Sequence, residues 1–320
     1  MMKTNIIFYM LLGTSTLITL VSDNWLSMWM GMELNLMMFV PLMNLKPNKN
    51  KSEASLIYFL VQASSSVILL SSLLFIMINN TWFMYEIMTM SLLIKLGAAP
   101  FHMWMPKIMS TMSWNMNIIF MTWQKIIPLF LLNSIESKNI ITISIILSVM
   151  GGSLGGLYQT SIRKMMAYSS INHLGWMLSL NKSKDSWIIY LSIYSYATYM
   201  VCSYFSSNNL LFINQLFNQN MTLSHKMNFM LLMMSLGGMP PMLGFLPKWL
   251  AIEELTQDNS LFLIMIMIMT SMLTLFYYMR IIMKLILFQS TNNKWSLYKT
   301  IPNNFMIMIN LILPMVIIIY

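Results

Sequence analysis

From residue 5 to residue 287 the chain alternates apolar stretches with short polar connections. In lipid an unpartnered backbone N–H or C=O is too costly to leave open, so such stretches must be helices or strands of a closed barrel. Their length, near the roughly 20 residues of a spanning helix rather than the ~10 of a tilted strand, selects helices. Only 8% of residues are charged and 58% are hydrophobic, whereas soluble domains carry about 25% charge. The chain therefore reads as a single all-α polytopic membrane domain over residues 1–320. Its net charge of +9 is scattered among the connections, which writes topology and does not suggest nucleic acid. The single cysteine, Cys202, cannot close an internal disulfide. The first apolar run has no small-residue cleavage site and reads as a retained helix, not a signal peptide.

The hydropathy pattern predicts eleven transmembrane helices, at 5–21, 25–43, 53–78, 82–105, 113–132, 140–157, 160–180, 186–206, 228–252, 261–287 and 304–320. A polar stretch after the eighth has room for a short interfacial helix around 210–217. Two spans are interrupted. In the fourth, SLLIKLGAAPFHMWMPK, Gly97 and Pro100 break the helix. In the ninth, GGMPPMLGFLPKW, Gly237, Gly238, Pro240 and Pro241 do so. Gly97, Pro100, Pro106 and Lys107 recur at the same spacing as Gly238, Pro241, Pro247 and Lys248. Paired interrupted segments point to a transporter built from an internal repeat. Spans four and nine cross in opposite directions, so the repeat is inverted. Residues 1–133 form the first five-helix repeat, 139–288 the second, and 303–320 an appended helix. Lys and Arg gather on one face, at Lys46, Lys107, Arg163, Lys226 and Arg280 among others. The other face receives Lys138, Lys182 and Lys184. This asymmetry places the N-terminus inside and the C-terminus outside.

The charges within the spans carry the chemistry. Lys95 lies in an apolar run just before the first break, where insertion scales put a lysine at roughly 2.5–3.5 kcal/mol. Glu33, Lys125 and Lys248 also fall inside spans, and His173 adds a group that titrates near neutrality. Burial favours a neutral amine and a nearby carboxylate favours the charged one, so a lysine between these influences can load and release a proton. Glu33, Lys95, Lys125, His173 and Lys248 are therefore candidates for a proton relay. Each also has a purely structural reading. Glu33 can be a static partner of one lysine, and Lys95 and Lys125 a fixed pair or snorkelling groups. Lys248 can snorkel from the end of its span, His173 can be a hydrogen-bonded interior histidine, and His102 can cap broken backbone. The break after Lys95 should free the carbonyls of residues 91–94, an end that favours a cation. There is no dinucleotide fingerprint, no CxxC pair and no metal-ligand spacing between His102 and His173. No metal or redox cofactor is expected on this chain.

Six segments, in order, carry a resemblance: MWMGMELNLMMFVPLM around Glu33, EASLIYFLVQ from Glu53, KLGAAPFHMWMP from Lys95, MTWQKIIP around Lys125, QTSIRKMMAYSSINHLGWM from Gln159 and SLGGMPPMLGFLPKWLAI from Ser235. In these the chain resembles the NADH:ubiquinone oxidoreductase chain 2 family, antiporter-like membrane subunits of respiratory complex I. The resemblance implies a proton-translocating subunit of an NADH:ubiquinone reductase. Glu33 would be the glutamate at the junction with the next subunit, Lys95 the central lysine and Lys125 the connecting one. His173 would bridge two half-channels, and Lys248 would be the terminal proton-exit residue. It also implies that NADH, FMN, iron–sulfur clusters and ubiquinone sit on other subunits. The implied partners are chain 4, the small chain 4L and lipids including cardiolipin. The chain resembles the shortened animal form, without the extra N-terminal spans of bacterial relatives. Its 40 methionines, beside abundant Ile and Asn, resemble an arthropod-type mitochondrial version. The location implied is the mitochondrial inner membrane, N-terminus in the matrix and C-terminus in the intermembrane space. A stand-alone cation/proton antiporter is the alternative that the same fold permits. A pure scaffold would not need the buried charges. Glu33→Gln replaces a carboxylate with a neutral isostere. It should lower proton pumping and coupled NADH oxidation in a complex that assembles normally, measured together in membrane vesicles.

Overall fold

The computed structural model describes residues 2–45, 48–78, 82–135, 138–181, 186–218 and 223–287. The span expected at 304–320 lies outside them, as do Lys46, Lys182, Lys184, Lys294 and Lys299 of the charge pattern. The described residues form two compact units, one ending at Ser148 and the other beginning at Val149. Their regular elements are helical. The first unit contains α1 (Met2–Val21), α2 (Trp25–Met43), α3 (Lys49–Ile78), α4 (Trp82–Leu96), α5 (Trp104–Thr111) and α6 (Trp114–Asn133). Helix α7 (Lys138–Leu157) crosses the division. The second unit contains α8 (Ile162–Ser179), α9 (Ser186–Ser207), α10 (Leu223–Gly237), α11 (Phe245–Gln257) and α12 (Leu261–Leu287), with a 3-10 helix at Ile213–Asn218. Helix α3 starts ahead of its expected position because the Asn48 carbonyl already accepts the N–H groups of Lys51 and Ser52.

Among the described residues four stretches are long and apolar enough to cross a membrane: Trp25–Met43, Lys49–Ile78, Asn139–Leu157 and Leu261–Leu285. Others fall short for identifiable reasons. Helices α4 and α10 each stop at an interruption, and the short α5 and α11 begin after one. Helix α8 carries Ser169, Ser170, Asn172 and His173 at buried positions, which lowers its hydropathy without exposing it. The expected interfacial helix is a single 3-10 stretch. The chain there is tied to the start of α8, with Ile162 N–H donating to the Leu211 carbonyl and Ile213 N–H to the Thr160 carbonyl. The Gln215 side chain caps the Leu211 and Phe212 N–H groups.

The same packing pairs occur in both units. Helix α2 packs on α3, α3 on α4 and α5, and α4 on α6. Correspondingly, α8 packs on α9, α9 on α10 and α11, and α10 on α12. The interruptions also match bond for bond. After α4, Gly97 adopts a left-handed φ of 67°. Its N–H donates to the Ile94 carbonyl and that of Ala98 to Leu93, both at 3.1 Å. After α10, Gly238 has φ 76°, its N–H donates to Ser235, and that of Met239 to Met234. This is the Schellman closure, which needs a residue without a Cβ penalty at positive φ. Downstream, Phe101 N–H to Ala98 and Met105 N–H to His102 recur as Met242 to Met239 and Leu246 to Leu243. The carbonyls of Leu93 and Ile94, expected to be free, are therefore taken by the chain's own next N–H groups. The first carbonyl beyond the cap is that of Lys95, and it accepts from Gln62 Nε2 at 3.1 Å.

The second interruption is the tighter one. A Cβ at Gly244 would fall on the Ser235 carbonyl oxygen, an atom of the helix backbone that cannot turn aside. At Gly237 a Cβ meets only side chains at ordinary contact, Tyr278 at 3.6 Å and Leu275 at 3.7 Å. Gly244→Ala should therefore destabilise the unit by about 1–3 kcal/mol, the usual cost of overpacking. Gly237→Ala should be neutral or slightly stabilising. Thermal unfolding of the two variants in lipid checks the contrast.

Candidate functional site

The first unit holds Glu33, Lys95 and Lys125. Lys95 lies in the last turn of α4, 7% exposed, where helix-end carbonyls favour a cation. Its ammonium lies 3.8 Å from Met32 Sδ, and the charge of Glu33, one residue on along α2, acts on it. The Glu33 side chain is half-buried, and its Oε1 is shielded without a hydrogen bond from the described residues. Lys125, on α6, is 2% exposed. Pro128 inside α6 has no N–H to offer the Gln124 carbonyl, so the helix is locally loosened beside the lysine. Lys95 and Lys125 line one cavity, with Asn35, Tyr58, Gln62 and Gln124 as its other polar walls. The rings of Tyr58, Trp104 and Phe120 also line it, and they pack with one another and with Phe39 at centroid distances of 5.2–6.2 Å.

The second unit holds His173 and Lys248. Helix α8 is buried along most of its length. His173 Nδ1 pairs with Tyr190 Oη at 2.9 Å, and its ring lies 4.8 Å from that of Tyr194. Lys248, in the first turn of α11, does not snorkel. It is 6% exposed and donates from Nζ to the Gly237 carbonyl at 2.7 Å, the last residue of α10. The Trp176 ring covers it, with Nζ 5.8 Å from the centroid, a cation–π distance. Lys95, Lys125 and Lys248 are thus each buried within their unit. Pro100 and His102 lie in the first interruption, between α4 and α5. Pro240 and Pro241 lie in the second. Among the described residues no three of His, Cys, Asp and Glu come together as a metal site.

Charge alone did not point to Asn35, Tyr58, Gln62, Gln124, Trp176 or Tyr190. A weaker signal was available: Tyr58 and Gln62 stand four residues apart on one face of α3, and Gln124 adjoins Lys125.

Residues 22–274 match the family model described as NADH:quinone oxidoreductase/Mrp antiporter, transmembrane. A relative from Anopheles gambiae, NADH-ubiquinone oxidoreductase chain 2, is 46% identical over 96% of this chain and 93% of its own. The protein of that name from Aedes aegypti is 42% identical, over 94% and 91%. The chain belongs to the NADH-ubiquinone oxidoreductase chain 2 family. The fold is also that of a chain of respiratory complex I from Thermus thermophilus. That match has a TM-score of 0.79 at 22% identity and covers 92% of this chain and 73% of the other. As a member of the chain 2 family, the protein places its lysines where helix interruptions and buried polar side chains meet.

Gly238 couples the second interruption to its lysine. A Cβ built there lies 2.8 Å from Lys248 Cδ and Nζ, and the left-handed φ adds about 1–2 kcal/mol of its own for a residue other than glycine. Gly238→Ala should thus cost more with Lys248 present than in a Lys248→Ala background, where only the backbone strain remains. A double-mutant cycle in thermal stability reads the difference.

Proposed function

We propose that this chain is a proton-translocating core subunit of the membrane arm of respiratory complex I, multi-pass in the mitochondrial inner membrane. Glu33, Lys95 and Lys125 carry protons in the first unit, and His173 and Lys248 in the second. The observation that carries the reading is the pair of buried lysines, Lys95 and Lys125, on one cavity walled by amides and a phenol. An ammonium in apolar surroundings is expensive, and a lysine kept there marks a functional site. A polar cavity of this kind can hold the water through which protons pass between such groups. The redox reaction, with NADH, FMN, iron–sulfur clusters and ubiquinone, belongs to other subunits. Neighbours in the arm are chain 4 and chain 4L, with cardiolipin among the surrounding lipids.

The architecture in this reading is eleven spans with an inverted repeat, 1–133 against 139–288, and a helix at 303–320 appended. The matching closures at Gly97 and Gly238 and the paired helix contacts support it. The charge asymmetry supports a matrix N-terminus and an intermembrane-space C-terminus. Because the family description also names antiporters, a stand-alone cation/proton antiporter is the second reading. Reconstituted alone in liposomes, such a protein exchanges Na⁺ for H⁺, and an obligate subunit does not.

Lys125→Met keeps length and apolar bulk while removing the titratable group. In the assembled complex it should reduce coupled proton pumping by roughly tenfold or more, the scale of losing one proton-transfer group. Normal pumping in membrane vesicles, with normal complex content, would sink the assignment.

A further inference from the structure

The polar walls of the Lys95–Lys125 cavity are joined to one another. Tyr58 Oη, on α3, donates to Gln124 Oε1 over a long 3.4 Å. Gln124 Nε2, on α6, donates to Asn35 Oδ1, on α2, at 2.9 Å. Three helices thus contribute one link each to a chain of neutral hydrogen-bonding groups along the cavity wall. Asn35 is 4% exposed and Tyr58 2%, and Gln124 between them is half-buried. None of the three carries a charge in the relay.

We propose that Gln124, held between Tyr58 and Asn35, is a positioning residue that orders water for proton transfer between Lys95 and Lys125; this deepens the relay reading and rests on it. A side-chain amide has a donor end and an acceptor end of nearly the same shape. If Gln124 and Asn35 turn their amides over and the Tyr58 hydroxyl rotates, the chain is satisfied in reverse. Gln124 Nε2 then donates to Tyr58 Oη, and Asn35 Nδ2 donates to Gln124 Oε1. The change turns the remaining Asn35 group from donor to acceptor. Water hydrogen-bonded to that group reorients with it, as repeated proton passage requires, because each passage leaves a chain of waters pointing the wrong way. No bond is made or broken in the side chains, and the transferred proton moves from one lysine through water to the other.

The test is made in the whole complex in membrane vesicles, comparing Gln124→Met, Tyr58→Phe and Lys125→Met with the parent. Gln124→Met should assemble normally and lower coupled NADH oxidation and pumping by roughly fivefold, the effect of about one hydrogen bond. Its solvent deuterium isotope effect on turnover should exceed the parent's, since water-mediated transfer becomes limiting. Tyr58→Phe, one oxygen atom smaller, should shift both in the same direction by less, and it decides the matter if Gln124→Met does not assemble. Parent rates and isotope effects in both variants, while Lys125→Met fails to pump, would overturn the proposal and leave the relay standing. Slow turnover with an unchanged isotope effect would mark Gln124 as structural only and also overturn it. Normal pumping by Lys125→Met would remove the relay and the proposal together.

Discussion

A helix interrupted inside an apolar span must find a partner for every backbone group it releases, because lipid offers none. The rest of this structure is arranged around that requirement. At Gly97 and Gly238 the chain turns left-handed and folds its next two N–H groups back onto the helix it has just left. The closure accounts for two carbonyls and exposes what lies beyond. In the first unit the next acceptor, Lys95 O, takes an amide from Gln62. In the second, Gly237 O takes the ammonium of Lys248. Completing the backbone therefore brings a polar side chain to each interruption, so the buried polarity and the break are solutions to one problem.

The two units share a backbone pattern and differ in where they put charge. By spacing, Lys248 corresponds to Lys107 and Lys95 to Leu236. Lys107 is exposed, and Leu236 is buried at 3%. One unit thus buries the lysine before its break and the other buries the lysine after it. The compensation differs accordingly. Lys95 has a carboxylate, Glu33, within electrostatic reach. Lys248 has a helix-end carbonyl and the face of Trp176. A carboxylate can itself gain or lose a proton. A carbonyl and an indole cannot, so the environment of Lys248 changes only if α10, α11 or α8 moves relative to the others.

How much of this was legible in the sequence follows from the range of each interaction. Gly97, Pro100, Gly238 and Pro241 announce themselves because glycine and proline act on their own backbone. Spans such as Trp25–Met43 are set by local hydropathy, and the first break lies where its residues place it. The partners of the buried charges are another matter. Met32 meets the Lys95 ammonium, and Trp176 that of Lys248, across many intervening residues, and nothing local encodes the meeting. The supposed open carbonyls before Gly97 failed for a related reason: the residue that breaks the helix also supplies the closure.

The neutral character of the wall between Lys95 and Lys125 follows from the same electrostatics. A carboxylate at the position of Gln124 or Asn35 would form a buried ion pair with the nearer lysine. Such a pair is costly to assemble and strongly unfavourable to break. An apolar side chain there would keep out the water that a lysine–lysine transfer needs. Amides and a phenol avoid both outcomes. They satisfy one another at 2.9 and 3.4 Å and hold no net charge, which in the proposed relay leaves proton transfer to the lysines. In the proposed relay, neutral polar residues beside Lys95 and Lys125 thus serve their chemistry, even though a reading based on charge passes over them.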